Sequence, residues 1–261
     1  MATERRWWQE GLLHWRSFIA HPHVPGLSPE RKALFAQTLT LAQANLDEGN
    51  LQPLAAQIRQ SEHWRFYDHC RSGILYLDIE TNGFSLHDPR GTVTVIGLHR
   101  NGQTLTLVHD ETLRVDRLQA ELNQCTLLVT FFGTGFDVPY LRAKFPCLRF
   151  PMPHFDLYLA ALRLGLHGGL KPLERAMGIE RAPALASLNG RDAVRLWSQW
   201  RQGHQTALDT LVAYNTADTE NLVPLADLIY KEMRSRFGPE TVETVSSTVT
   251  VPNKARSSFS P

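Results

Sequence analysis

The chain has 261 residues, 43% of them hydrophobic and 20% charged, a composition that allows the core of one large domain or two small ones. Lysine plus arginine (27) nearly equals aspartate plus glutamate (26), a balance that neither supports nor excludes a nucleic-acid partner. No apolar run approaches the length of a membrane span, and no signal-peptide segment is evident at the N-terminus. The three cysteines form no CxxC pair, so we expect reduced thiols and a cytoplasmic protein.

Residues 1–70 are predicted to form a helical extension. Apolar residues recur at helical spacing from Leu12 to Ile19 before a segment with two prolines interrupts the pattern. Ser28 followed by Pro29 is typical of a helix start. Four tryptophans in this range favour a cap docked on the main domain, with base stacking by one of them as the alternative.

Five strands are predicted after the extension. They cover residues 74–80, 92–99, 104–108, 127–132 and 149–155. Asn101-Gly102 favours a type I′ turn between the second and third strands. A meander followed by crossover units predicts an α/β domain over 71–237, with a five-stranded mixed sheet flanked by helices. The serine- and threonine-rich remainder, 238–261, is expected to be a flexible tail.

The first strand carries two carboxylates at its end. Asp78 and Glu80 follow four apolar residues and, two residues apart on a strand, share one face. Two like charges held this close repel each other, and a bound cation compensates this repulsion. Hard divalent cations prefer carboxylate oxygens as ligands. The alternative is a strand end that emerges into solvent with both acids hydrated.

Three further polar residues follow in a suggestive order. Asp137 comes after the fourth strand, and Tyr214 and Asp218 lie one helical turn apart in the last long helix. Singly, an aspartate after a strand is often a helix cap, and a tyrosine and an aspartate four apart are usually an ordinary helix face.

Together these motifs resemble the DEDD exonucleases of the ribonuclease H-like superfamily, in the branch that carries tyrosine in the third motif. The chain also looks similar to bacterial YprB-type ribonuclease H-like proteins, which have a helical segment ahead of the first motif. The resemblance covers roughly residues 10–230. Its three motifs are Asp78-Ile79-Glu80-Thr81, Phe136-Asp137 and Tyr214-Asn215-Thr216-Ala217-Asp218.

The resemblance implies hydrolysis of phosphodiester bonds by two divalent cations, Mg²⁺ or Mn²⁺, with 3′→5′ release of mononucleotides. It implies that Asp78 bridges both cations, that Glu80 and Asp218 hold the first, and that Asp137 supports the second. Tyr214 is implied to orient the attacking water. The expected partners are 3′ ends of single-stranded DNA or RNA.

The candidate substrate-binding residues are Thr81, Phe132 and Lys171. Phe132 stands where the family usually has asparagine, and two interpretations of its ring stay open. The ring is either part of the core, or it projects into the cleft and stacks on a terminal base, in which case Phe131 is the core residue.

Positive charge is concentrated in residues 139–181, which hold seven basic and three acidic side chains. This excess of four charges either follows a nucleic-acid backbone or forms a solvated face. Lys171, just after Gly168-Gly169, is the best single candidate for phosphate contact, and Asp156 is expected to be a helix cap. Two rival functions also stay open: a non-catalytic nucleic-acid-binding module and a structure-selective endonuclease.

Overall fold

In the computed structural model, which describes residues 2–239, five strands form one mixed sheet. The strands are β1 (Ile74–Thr81), β2 (Val93–Arg100), β3 (Gln103–Val108), β4 (Leu127–Thr130) and β5 (His154–Asp156). Their order is β3-β2-β1-β4-β5, with β1 in the centre, antiparallel to β2 and parallel to β4. The predicted five-stranded mixed sheet, with the strand that carries the two acids in the middle, is confirmed.

Helices cover both faces of this sheet and build the N-terminal extension. The extension contains α1 (Ala2–Gln9), α2 (Trp15–Ala20), α3 (Pro29–Asp47) and α4 (Gln52–Gln57), followed by 3₁₀ turns at Gln60–Phe66 and Arg71–Gly73. The remaining helices are α5 (Val115–Asn123), α6 (Asp137–Lys144), α7 (Leu157–Leu164), α8 (Leu170–Ala176), α9 (Pro183–Ala186), α10 (Gly190–Arg201) and α11 (Gln205–Phe237). None of the helices within the described part of the chain combines the length and the apolar character needed to cross a membrane.

The extension is helical as predicted, and it is joined to the main domain through a shared core. Ser28 caps α3 by accepting a hydrogen bond from the backbone N–H of Arg31. The expected helical pattern from Leu12 to Ile19 is interrupted instead, because α2 begins only at Trp15. Trp64 is 3% exposed and belongs to the same core cluster as α11, so it packs as a core residue.

Two predicted strand boundaries are wrong. The fourth strand ends at Thr130 instead of residue 132, because the chain turns there and Phe132 adopts a positive φ of 65°. The fifth strand covers residues 154–156 instead of the predicted 149–155. It starts late because the prolines at 151 and 153 cannot donate ladder hydrogen bonds. The predicted type I′ turn is confirmed, with φ of 52° at Asn101 and 76° at Gly102.

Strand β1 divides the core into two layers. Ile74 and Tyr76 face the layer that contains α7 and α11, whereas Leu75, Leu77 and Ile79 face the layer that contains α5 and α6. Since side chains alternate, Asp78 and Glu80 continue the α11 face beyond Tyr76. The predicted tail lies, from residue 240 onward, outside the described residues, and the division of the chain at residues 70 and 237 stays a prediction.

Helix α11 approaches the sheet closely at one glycine. Gly97 on β2 is the register partner of Asp78, and a Cβ atom added to it would overlap the Thr219 hydroxyl and the Asn215 amide oxygen of α11. A methyl group here would therefore push α11 away from the strand that carries Asp78.

We predict that Gly97→Ala lowers the free energy of unfolding by about 1–3 kcal/mol, because it overpacks the contact between sheet and helix. Urea unfolding measures the loss. Gly190→Ala is the matched control, since nothing lies within 4 Å of a Cβ added at Gly190. Equal stabilities of the two variants would contradict the close-approach role of Gly97.

Candidate active site

Three carboxylates converge where β1 meets α11. Asp78 and Glu80 come from the end of β1, and Asp218 comes from the middle of α11. One carboxylate oxygen from each of the three lies within 4.8 Å of the others. Glu80 and Asp218 are buried, at 8% and 5% exposure, and Asp78 is partly accessible. The fold thus gathers the acids of the first and third motifs into one cluster.

Asp137 lies against the same strand but outside this group of three. It is the first residue of α6, is 3% exposed, and accepts a hydrogen bond from the backbone N–H of Ile79 at 3.1 Å. Burial and the charge of Asp218 raise the pKa of Asp78, and the negative charge of Asp137 adds to that effect. The second motif therefore reaches the site through the β1 backbone.

The turn before Asp137 is held by Asp156, at the end of β5. One carboxylate oxygen of Asp156 accepts from the N–H groups of Phe132 (2.9 Å) and Tyr158 (3.1 Å). The other oxygen accepts from Thr134 at 2.9 Å. Asp156 also caps the N-terminus of α7, as predicted. It links β5 to the turn that leads into α6 and so positions Asp137.

Asn215 is a site residue whose role the sequence did not reveal. Its side-chain amide donates to a carboxylate oxygen of Asp78 at 2.8 Å, and the residue is fully buried. Its position next to Tyr214 in the third motif was a usable signal, because a buried amide on a helix facing acids needs polar partners. Asn215 fixes the orientation of the Asp78 carboxylate from across the site.

Burial and mutual repulsion raise the pKa of the clustered carboxyls. Burial is the main cause for Asp78 and Glu80, whose pKa values stand well above the usual range, and the charges of Asp218 and Asp137 add to it. Burial raises the pKa of Asp137 to about 7. Burial also raises the pKa of Asp218, although Arg181 opposes that effect.

The donor set fits hard divalent cations. Three carboxylates at this spacing offer the oxygen ligands that Mg²⁺ and Mn²⁺ prefer, and a cation would relieve their repulsion. Oδ1 of Asp218 is buried, and the guanidinium of Arg181 lies 2.5 Å from it. A buried carboxylate oxygen that faces positive charge beside two other acids is suited to a cation.

A family model described as the RNase_H superfamily matches residues 75–230. The chain belongs to the RNase_H superfamily. This match and the sheet order confirm the predicted ribonuclease H-like fold. No curated protein matches the chain.

Two solved structures are similar to this RNase_H superfamily chain. One is the family B DNA polymerase from the hyperthermophilic archaeon Pyrobaculum calidifontis, at 18% identity and a TM-score of 0.49, covering 60% of this chain and 24% of the polymerase. The other is the Aedes aegypti Nibbler EXO domain, at 15% identity and a TM-score of 0.47, covering 67% of this chain and 85% of the domain. The matched region thus spans about a quarter of the polymerase.

Tyr214 and Lys171 lie beside the carboxylates of this RNase_H superfamily site. Tyr214 is 6% exposed, and burial followed by the charge of Asp218 raises the pKa of its phenol, so it keeps its proton. The Lys171 ammonium lies 4.7 Å from the Tyr214 ring centre. It donates to the backbone carbonyls of Leu185 and Leu188, so internal partners already engage it.

Of the two interpretations of Phe132, the core position is wrong. The ring is 45% exposed and packs edge-on against Tyr158, with ring centres 5.0 Å apart. Phe131 is partly buried and packs against the core cluster around α11. Thr81, at the end of β1, is 9% exposed, and its hydroxyl accepts from the backbone N–H of Gly83 at 3.3 Å.

Other exposed rings follow the same motifs. Phe84, three residues beyond β1, is 38% exposed, and the guanidinium of Arg90 lies 4.2 Å from its ring centre. Phe136, directly before Asp137, is 40% exposed. Phe136 was predicted only as part of the second motif and Phe84 not at all, although an aromatic residue near an acidic motif was a usable signal.

The raised pKa values predict how stability depends on pH. Carboxyls that bind protons more tightly in the folded than in the unfolded chain stabilise the fold below about pH 4, their ordinary range. That contribution is lost as pH rises through the folded value, about 7 for Asp137. The cluster therefore destabilises the metal-free protein at neutral pH.

We predict that, without metal, the melting temperature of Asp78→Asn minus that of the unchanged chain increases by on the order of 5 °C between pH 5 and pH 7.5. The substitution removes one of the repelling charges. Thermal melts in a chelator at several pH values measure the difference. Added Mg²⁺ should remove most of it at pH 7.5, and parallel pH curves without metal would contradict the coupling.

Proposed function

We propose that this RNase_H superfamily chain is a metal-dependent 3′→5′ exonuclease that acts on single-stranded DNA or RNA with two divalent cations, Mg²⁺ or Mn²⁺. The convergence of the Asp78, Glu80 and Asp218 carboxylates within 4.8 Å of one another carries this proposal. Buried acids at this spacing, beside a protonated tyrosine, make a site for metal-assisted hydrolysis.

Each residue has a proposed task. Asp78, which Asn215 orients, would contact both cations, and Glu80 and Asp218 would complete the ligands of the first. Asp137, which accepts a hydrogen bond from the β1 backbone, would support the second cation. When bound, the cations would stabilise the attacking and leaving oxygens of an in-line displacement.

Tyr214 is proposed to orient the attacking water. Because burial and Asp218 raise the pKa of the phenol, the hydroxyl remains a hydrogen-bond donor at neutral pH. Lys171, whose ammonium lies 4.7 Å from the Tyr214 ring centre, would add positive charge close to the proposed water-orienting hydroxyl. Because its ammonium donates to backbone carbonyls, we assign it an electrostatic role in place of a free phosphate clamp.

The substrate side of the proposal is supported by exposed aromatic rings. Phe132, Phe84 and Phe136 are each between 38% and 45% exposed and lie within five residues of an acidic motif. Rings of this kind bind unpaired bases by stacking, with little dependence on sequence. We therefore propose a single strand as the substrate, with Thr81 at the end of β1 contacting its terminal nucleotide.

The proposed reaction predicts a ladder of shortened products from an oligonucleotide labelled at its 5′ end, in the presence of Mg²⁺ or Mn²⁺. Asp78→Asn should reduce the rate at least a hundredfold while the protein stays folded, because charge on this ligand stabilises the transition state. A gel or capillary assay resolves the products. DNA and RNA versions of the same sequence define the sugar preference.

Two outcomes would overturn the proposal. One discrete internal product, unaffected by a block at the 3′ end, indicates a structure-selective endonuclease. Tight binding of the oligonucleotide without any metal-dependent cleavage indicates a non-catalytic module. A ladder that survives in Asp78→Asn would contradict the assignment of Asp78 as a metal ligand.

We predict that Phe132→Ala weakens binding of a single strand about tenfold, since stacking of one base contributes about 1–3 kcal/mol. The melting temperature should barely change, because the ring is 45% exposed. Phe131→Ala is the matched control, with a loss of about 1–3 kcal/mol in stability and unchanged affinity. Fluorescence titrations in the Asp78→Asn background measure both, and equal affinities of the two variants would contradict the role of Phe132.

A further inference from the structure

A buried arginine lies directly against the metal-ligand candidates. Arg181, between α8 and α9, has a side chain that is only 5% exposed. Its guanidinium forms a two-pronged ion pair with Glu174 of α8, at 2.5 and 2.6 Å. The remaining nitrogen, Nη1, lies 2.5 Å from Oδ1 of Asp218. The guanidinium thus bridges α8 and the acidic cluster.

Arg181 is bound more firmly to Glu174 than to Asp218. Glu174, 1% exposed, accepts two well-directed hydrogen bonds from Arg181 and a third from the Asn221 amide at 3.2 Å. Nη1 of Arg181 and Oδ1 of Asp218 are buried and form one ion-pair contact, at 2.5 Å, and neither atom has a further partner among the described residues. Arg181 is therefore held by two hydrogen bonds to Glu174 and by a single contact to Asp218.

This geometry lets a divalent ion compete with Arg181 for Asp218. An ion held by Asp78, Glu80 and Asp218 would draw Oδ1 toward itself and weaken only the single contact with Arg181, while the two hydrogen bonds to Glu174 keep the guanidinium in place. The positive guanidinium in contact with the same oxygen would repel that ion. Binding of the ion and the contact between Arg181 and Asp218 must therefore oppose each other.

We propose that Arg181 is a resident counterion of Asp218 that a divalent cation displaces, so that the anchoring of Arg181 by Glu174 sets the metal affinity of the site. The inference rests on the proposed function, because it takes Asp78, Glu80 and Asp218 as metal ligands. Arg181 acts through Asp218 and is a positioning residue. In the metal-free protein it offsets part of the repulsion that the gathered carboxylates create.

Titration with Mn²⁺ alone, followed by electron paramagnetic resonance of the free ion, tests the inference without any nuclease assay. The double variant Glu174→Gln, Arg181→Met removes both partners, so that no unpaired charge stays buried. Its dissociation constant for Mn²⁺ should fall about tenfold, equivalent to about 1.4 kcal/mol. A cooperative thermal melt in a chelator establishes that the variant is folded.

A second variant should change affinity in the opposite direction. Glu174→Gln alone retains the guanidinium but removes its charged anchor, so Arg181 pairs more strongly with Asp218 and Mn²⁺ should bind several-fold more weakly. If the substitutions only loosened α8, the Mn²⁺ affinity of both variants would change in the same direction. Arg175→Met and Glu180→Gln, at exposed positions of the same segment, are matched controls for the change in charge and should bind Mn²⁺ as the unchanged chain does.

The results separate this inference from the proposed function. If the unchanged chain binds Mn²⁺ and Asp78→Asn abolishes binding, but the double variant binds equally or more weakly, the role of Arg181 is wrong while the metal site stands. The role is also wrong if Arg175→Met tightens binding as much as the double variant does. If no form of the protein binds Mn²⁺, both proposals fall.

Discussion

Repulsion among buried carboxylates is the constraint on which the rest of this structure depends. Asp78, Glu80 and Asp218 bring negative charge into a space where water cannot screen it, and Asp137 lies just behind them. The fold compensates these charges from several directions. The Asn215 amide donates to Asp78, a backbone N–H of β1 donates to Asp137, and Arg181 lies against Asp218.

The close packing of α11 on β2 makes this arrangement possible. Gly97 has no side chain, so α11 can approach β2 closely beside Asp78. Asn215 reaches Asp78 across that gap, and Asp218 follows one turn later on the same helix. The helix is continuous over 33 residues and is anchored far from the site by the core cluster that it shares with the N-terminal extension. The first part of α11 packs in another core cluster, with α10, β2 and β3. Packing on both sides of the site keeps the third motif in register with the first.

The strands of the sheet and the acidic residues of the first motif could be predicted from the sequence because each is marked by a pattern only a few residues long. An apolar run that ends in Asp78 and Glu80 is unusual enough to mark a site, and Asn101-Gly102 defines its turn without any tertiary contact. The position of Phe132 depended instead on Asp156, 24 residues away, which captures its N–H and ends β4 early. A buried Arg181 was likewise invisible, because a lone arginine in a basic segment resembles a surface residue until its partners on α8 and α11 are placed.

Several basic side chains near the site interact with other groups of the protein, and this affects how a substrate strand could be bound. Within residues 139–181, where a basic track was one interpretation, Arg181 pairs with Glu174 and Asp218, and Arg163 pairs with Glu62. Lys171 donates to carbonyls. These cations are committed to the fold, so less charge than the sequence indicates is free for phosphates. The exposed rings near the acidic motifs, by contrast, keep 38% to 45% of their surface accessible, although each contacts an aromatic or cationic side chain. This distribution favours recognition of a strand end by stacking and metal contacts, with weak dependence on salt, over a continuous electrostatic path along the backbone.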